Sequence, residues 1–204
     1  MTIRQFHKHL PAVFFVISIC FSGLAHANSA SKMVQNFQAT LLDVMKSADQ
    51  TPLKQRYDQL APKVAATFHL PLMTQIATGR YWQNATVSEK SAAVGGFRRM
   101  SVATLATLFD GYSGESFAVT GEGPGPSKTT IVATKLTKSD ESQIEIAYVA
   151  RQFGGQWRLI DVVVDGGISE LKVRRSEYHL ILKKRGMAGL IELLNNKADE
   201  LMSQ

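Results

Sequence analysis

Beyond residue 28 the chain carries two histidines, His69 and His179, and no cysteine. They are far apart in sequence and belong to no Cys/His cluster or H-E-x-x-H helix, so a metal centre would need carboxylates or distant partners. No G-x-S-x-G offers a nucleophile elbow. One acid–base pair can be imagined, Asp161 with Tyr148, if neighbouring strands set them opposite each other. That pair would suit a hydrolase. The residue types imply no cofactor.

Two glycine-rich stretches resemble phosphate loops. In "GEGPGPSKTT", residues 121–130, Pro124 and Pro126 remove two backbone donors, and a strand pattern follows instead of a helix. A connecting loop over 122–127 is expected. Asp165-Gly166-Gly167 ends a strand and precedes a helix near Ile168, with Ser169 as a possible cap. Free amides there could hold a phosphate, but glycines also simply permit a tight left-handed exit.

After that turn come Lys172, Arg174, Arg175, Lys183, Lys184 and Arg185. Arg174, Arg175, Lys183, Lys184 and Arg185 are the candidate docking residues, for membrane phosphates or an acidic partner. The formal net charge of +6 is modest, and no basic–aromatic platform accompanies it. Nucleic acid is therefore excluded as a partner.

The elements that must position these groups follow from periodicity. Residues 1–27 read as a secretory signal peptide: Arg4, His7 and Lys8 form a basic start, an apolar run reaches Leu24, and Ala25-His26-Ala27 is the cleavage site. Cleavage would leave residues 28–204 as one domain, without Cys20 and without Arg4 and Lys8. A periplasmic location is expected of such a cysteine-free exported chain. Helices are expected over 31–47, from Thr51-Pro52 through Val64, over 68–78 with Gly79 as the stop, and over 87–110 behind the capping box Thr86–Glu89. Val94, Phe97, Met100, Leu105, Leu108 and Phe109 should form the apolar side of the long helix. Gly95 and Gly96 mark a close approach.

The period then changes to two. Strands are expected over 115–121, 128–137, 143–153 and 156–165, the last two joined by Gly154-Gly155. That turn sets Tyr148 opposite Asp161 and Arg151 opposite Arg158. Ile144, Ile146 and Tyr148 share a face with Trp157, Leu159 and Val163. Two helices, about 168–185 and 187–202, close the chain around Gly186. The order implies an α+β fold, an antiparallel sheet of about four strands flanked by N-terminal and C-terminal helices.

Several stretches carry a family resemblance: "GRYWQNATVSEKSA", "FRRMSVATLATLFDGYSGESF", "WRLIDVVVDGGIS" and "KRGMAGLIELL". The most specific is Trp157, Asp161, Val162, Val164, Asp165 and Gly166, followed by Arg175 and Tyr178. The chain resembles the MlaC family of periplasmic phospholipid-binding proteins, also called toluene-tolerance proteins. Its Asp165-Gly166-Gly167-Ile168-Ser169, one residue longer than the usual form, is closer to the HpnM, hopanoid-associated branch.

The resemblance implies a nuclear-transport-factor-like cone with an apolar pocket, and no enzyme. It implies a carrier of phospholipid or hopanoid between inner and outer membranes. The implied partners are an inner-membrane MCE-domain protein of an ABC transporter and an outer-membrane lipoprotein complex. Candidate pocket residues are Phe97, Met100, Leu105, Phe109, Phe117, Ile131, Ile144, Ile146, Tyr148, Trp157, Leu159 and Val163. Burying two acyl chains withdraws about 30 CH₂ groups from water at ~0.8 kcal/mol each, so tails would dominate affinity. A lipid hydrolase and a cargo-free envelope adaptor remain the alternatives.

Overall fold

The computed structural model describes residues 29–204; the expected signal peptide, its cleavage site and Cys20 lie outside them. Helices α1 (Ala30–Ser47), α2 (Leu53–Thr67), α3 (Leu70–Thr78), α4 (Arg80–Asn84) and α5 (Val87–Leu108) come first. Strands β1 (Ser116–Gly125), β2 (Thr129–Thr137), β3 (Gln143–Phe153), β4 (Gln156–Val164) and β5 (Ile168–Ser169) follow, and α6 (Glu170–Met202) ends the chain. Among the described residues no helix is long and apolar enough to cross a membrane.

Local chemistry sets the helix ends. The α5 capping box forms as expected: the Glu89 amide donates to Thr86 Oγ1 at 3.2 Å and the Thr86 amide to Glu89 Oε2 at 2.8 Å. The Thr86 amide and hydroxyl, both donating to the Glu89 carboxylate, hold it below its usual pKa. Helix α2 starts differently from expectation. Pro52, not Thr51, occupies the cap position, and the Thr51 carbonyl accepts from Arg56 Nη1 at 2.7 Å. Gly79 stops α3 with φ +57°.

Helix α5 buries mostly small side chains, Ala93, Gly96, Val102, Ala103 and Ala106, around Phe97 and Met100. Small residues let α6 come close: a Cβ added to Gly96 would lie 3.1 Å from Leu194 Cβ. Arg99 fastens this seam, donating to Asn195 at 2.7 Å and to Asp199 at 2.7 Å. Leu108, expected on the apolar side, is 67% exposed, because the helix ends there and the chain leaves the core. Helix α6 is broken at Gly186, with φ +62° and ψ −157°.

The strands form one antiparallel meander in the order β1-β2-β3-β4-β5. Strand β1 runs on through residues 122–125, where a loop was expected. It is an edge strand, and an edge tolerates Pro124 and the glycines because one side of its ladder needs no donors. The true turn is Pro126–Lys128, where Ser127 and Lys128 take positive φ.

The β3–β4 hairpin turns on Gly154-Gly155, and Arg151 faces Arg158. The two guanidiniums diverge: Arg151 lies over the Phe153 ring and Arg158 bonds Gln156 Oε1. Beyond Leu159 the register shifts by one residue at a bulge. Tyr148 therefore faces Val162, and Asp161 faces Val149. The expected Tyr148–Asp161 pairing does not occur, and the two side chains belong to opposite faces.

One face, with Val132, Thr134, Tyr148, Ala150 and Leu159 buried, packs on the helices. Phe37 of α1 meets Phe68 edge-on at 5.2 Å within this core. The other face carries Ile131, Ala133, Ala147, Val149 and Val163, none of them buried.

Candidate functional site

A cavity of about 140 Å³ lies between the sheet and helices α2, α3, α5 and α6. Its walls are Val64, Phe68, Leu70, Met73, Phe97, Leu105, Val162 and Leu171. Its polar lining groups, Ser101, Thr104, Glu170 and Arg174, all come from α5 and the first turns of α6. The site is thus an apolar hollow with a polar collar on two helices. A hollow of roughly 150 Å³ suits a benzene-sized apolar occupant.

The start of α6 is fixed by β4. Asp161 Oδ1 accepts from the amides of Val162 and Leu171, at 2.8 and 3.0 Å, and Oδ2 from the Ser169 hydroxyl at 2.6 Å. Ser169 Oγ accepts in turn from the Lys172 amide at 3.0 Å, the cap the sequence suggested. Asp161 is thereby committed to holding a helix. The turn before it is a left-handed exit: Asp165, Gly166 and Gly167 all have positive φ.

A larger groove of about 380 Å³ adjoins the cavity and shares Thr104 and Arg174 with it. It runs between α5 and α6 past Met100, Tyr178, Leu193, Leu194 and Leu201. Arg174 Nη1 donates to Glu177 at 3.1 Å, so the residue dividing the two spaces is itself held in place. The Tyr178 hydroxyl points at Met100 sulfur, 3.7 Å away. Burial pushes the Tyr178 phenol far up in pKa. Burial likewise pushes Tyr148 up to about 12, against a small opposing effect of its hydrogen bond from Gln38.

Of the candidate pocket residues, Phe97 and Leu105 line the cavity and Met100 the adjoining groove. Tyr148 and Leu159 are buried in the core, and Phe109, Phe117, Ile146 and Trp157 pack around it. Ile144 faces Leu136 towards the end of the sheet and is only half-buried. Ile131 and Val163 are on the uncovered face. Val163 is displaced there by the bulge, which puts Val162 on the cavity side. The helical lining residues Val64, Leu70, Met73 and Leu171 were legible only as core, since a cavity wall and a core use the same spacing; Phe68, expected to start a helix, is instead extended between α2 and α3 and bridges to Leu159.

Among the docking candidates, Arg174 is at the collar, Lys183 and Lys184 are exposed, and Arg185 pairs with Glu192. Arg175 turns the other way, towards Gly79. His69 caps α3, its Nδ1 accepting from the Leu72 amide at 3.1 Å, and stacks on Phe153 at 3.9 Å. Among the described residues no three His, Cys, Asp or Glu side chains gather as a metal site.

The fold is similar to that of a phospholipid-binding protein from Ralstonia solanacearum, solved in complex with a phospholipid. The TM-score is 0.74 at 18% identity, covering 85% of this chain and 98% of that one. None of the curated proteins compared with the chain matches it. A family model described as MlaC protein matches residues 35–196, and with most of its length so matched the chain belongs to the MlaC family.

Proposed function

We propose that this chain is a lipid carrier that holds acyl chain in the hollow bounded by α2, α3, α5, α6 and β4. The observation that carries this reading is the distribution of polarity: the walls are hydrocarbon, and the polar groups lie at a collar where a head group would meet water. Membership of the MlaC family and the phospholipid held by the Ralstonia protein support it. A carrier needs no acid–base machinery. The separation of Asp161 from Tyr148 removes the one pair that suggested a hydrolase.

The hollow is small for a two-chain lipid. Cargo uptake therefore requires Arg174 and the first half of α6 to move from α5, joining the cavity to the adjoining groove. The break at Gly186 separates that half from the half that Arg99 fastens. Phospholipid is the favoured cargo and hopanoid the second. The proposed setting is the periplasm, reached by a cleaved signal peptide. There the chain would exchange lipid with an MCE-domain protein of an inner-membrane ABC transporter and with an outer-membrane lipoprotein complex.

The test is native mass spectrometry of the purified protein, with lipid extraction. Intact lipid is expected to copurify, and Leu105→Trp, which fills the hollow, is expected to lose most of it while remaining folded. Protein that stays empty after incubation with phospholipid vesicles would sink the proposal.

A further inference from the structure

On the side of α6 turned away from the cavity, the α3–α4 junction meets the helix across a surface cleft of about 250 Å³. Arg80, Tyr81, Arg175 and His179 line it together with Gly79, and no carboxylate does. Arg175 and His179 are four residues apart and so share one face of α6, with buried Leu182 continuing it. Two guanidiniums and an imidazole, drawn from positions far apart in the chain, converge on one small space.

The surroundings hold them there. The left-handed Gly79 lets the backbone pass close beneath Arg175: an added Cβ would be 3.5 Å from Arg175 Nη2. Arg80 lies over the Tyr81 ring at 5.3 Å and reaches its hydroxyl at 3.4 Å. Among the described residues neither arginine forms an ion pair, whereas Arg99, Arg174 and Arg185 each have a carboxylate partner. Like charges gathered without a counter-charge repel. Guanidiniums whose charge has no carboxylate partner match a tetrahedral oxyanion.

We propose that this cleft binds a phosphate-class oxyanion, either free phosphate or the phosphate of a membrane lipid head group. The site is separate from the apolar hollow and does not depend on what the hollow holds. The cleft is open to solvent, so affinity is moderate, with a Kd of about 1 mM for inorganic phosphate.

The experiment is an NMR titration of the ¹⁵N-labelled full chain with inorganic phosphate at constant ionic strength. Saturable shifts are expected at the amides of Gly79, Arg80 and His179. Arg80→Gln and Arg175→Gln should each weaken binding about tenfold, and Lys138→Gln, in the exposed β2–β3 turn, should not. Both changes are on the surface, and unchanged spectra elsewhere report an intact fold. Shifts that grow without saturating, or wild-type binding by both variants, would overturn the site.

Co-sedimentation with phosphatidylglycerol vesicles then separates the two sources. Loss of vesicle binding in Arg80→Gln and Arg175→Gln, but not in Lys138→Gln, assigns the cleft to lipid head groups. Vesicle binding indifferent to both, alongside the saturable titration, assigns it to soluble phosphate.

Discussion

Asp161 on β4 accepts a hydrogen bond from the Leu171 amide at 3.0 Å, so a sheet carboxylate caps the helix that walls the cavity. Removing it orphans the first amides of α6. Asp161→Ala is expected to cost about 1–2 kcal/mol of stability, and Asp161→Asn less, read as the shift of the urea midpoint. Neither variant should alter the integrity of added phospholipid. Cleavage by the wild type that either variant abolishes would restore the hydrolase reading.

Neighbouring glycines in α5 should respond oppositely. Nothing lies within 4 Å of a Cβ on Gly95, while one on Gly96 would press on Leu194. Gly95→Ala is expected to stabilise by about 0.5–1 kcal/mol, through helix propensity and a stiffer unfolded chain. Gly96→Val is expected to destabilise by about 1–3 kcal/mol through overpacking. Thermal unfolding of the pair measures both signs.

The bulge in β4 makes Val162 and Val163 unequal, although both are valines in one strand. Val162→Lys puts a charge against the cavity wall and is expected to cost about 2 kcal/mol or more. Val163→Lys points to the uncovered face and should cost under about 1 kcal/mol. Equal losses in urea unfolding would contradict the register.

Alkaline pH should weaken the fold through its buried phenols. Tyr148 ionises near 10.0 when unfolded and at about 12 when folded, and Tyr178 is raised for the same reason. A raised folded pKa means that the unfolded chain loses its proton first. Stability is then unaffected by these groups below about pH 10 and falls as pH rises towards 12. The urea midpoint followed across that window should drop in the wild type and drop less in the Tyr148→Phe, Tyr178→Phe double variant.

The residues differ in how openly they announced their places. Thr86 with Glu89, and Gly154 with Gly155, act through bonds a few positions long, so the helix start and the hairpin were legible to the residue. The bulge after Leu159 was not. A two-residue turn predicts a constant register, and nothing in a run of valines and isoleucines marks an extra residue. A register without the bulge puts Val163 in the expected pocket and Val162 out of it, the reverse of the observed placement. The loop expected over 122–127 failed for another reason: Gly and Pro oppose a central strand, but β1 is an edge. The hollow itself could not be read from its wall residues, because Val64, Leu70 and Met73 carry the spacing of any packed helix. What distinguishes them is a space between elements, which is a property of the assembled chain.

The meander has a kinetic consequence. Every strand pairs with its sequence neighbour, so the sheet closes only short loops and should form early and quickly. Helix α1 is the reverse case. It is made before any of the strands, yet its buried face, Val34, Phe37, Leu41 and Val44, packs against β1 to β4. Until those strands exist that apolar stripe has no sheet to cover it. The N-terminal helix is thus the segment of the nascent chain most in need of a chaperone, and the last to find its place.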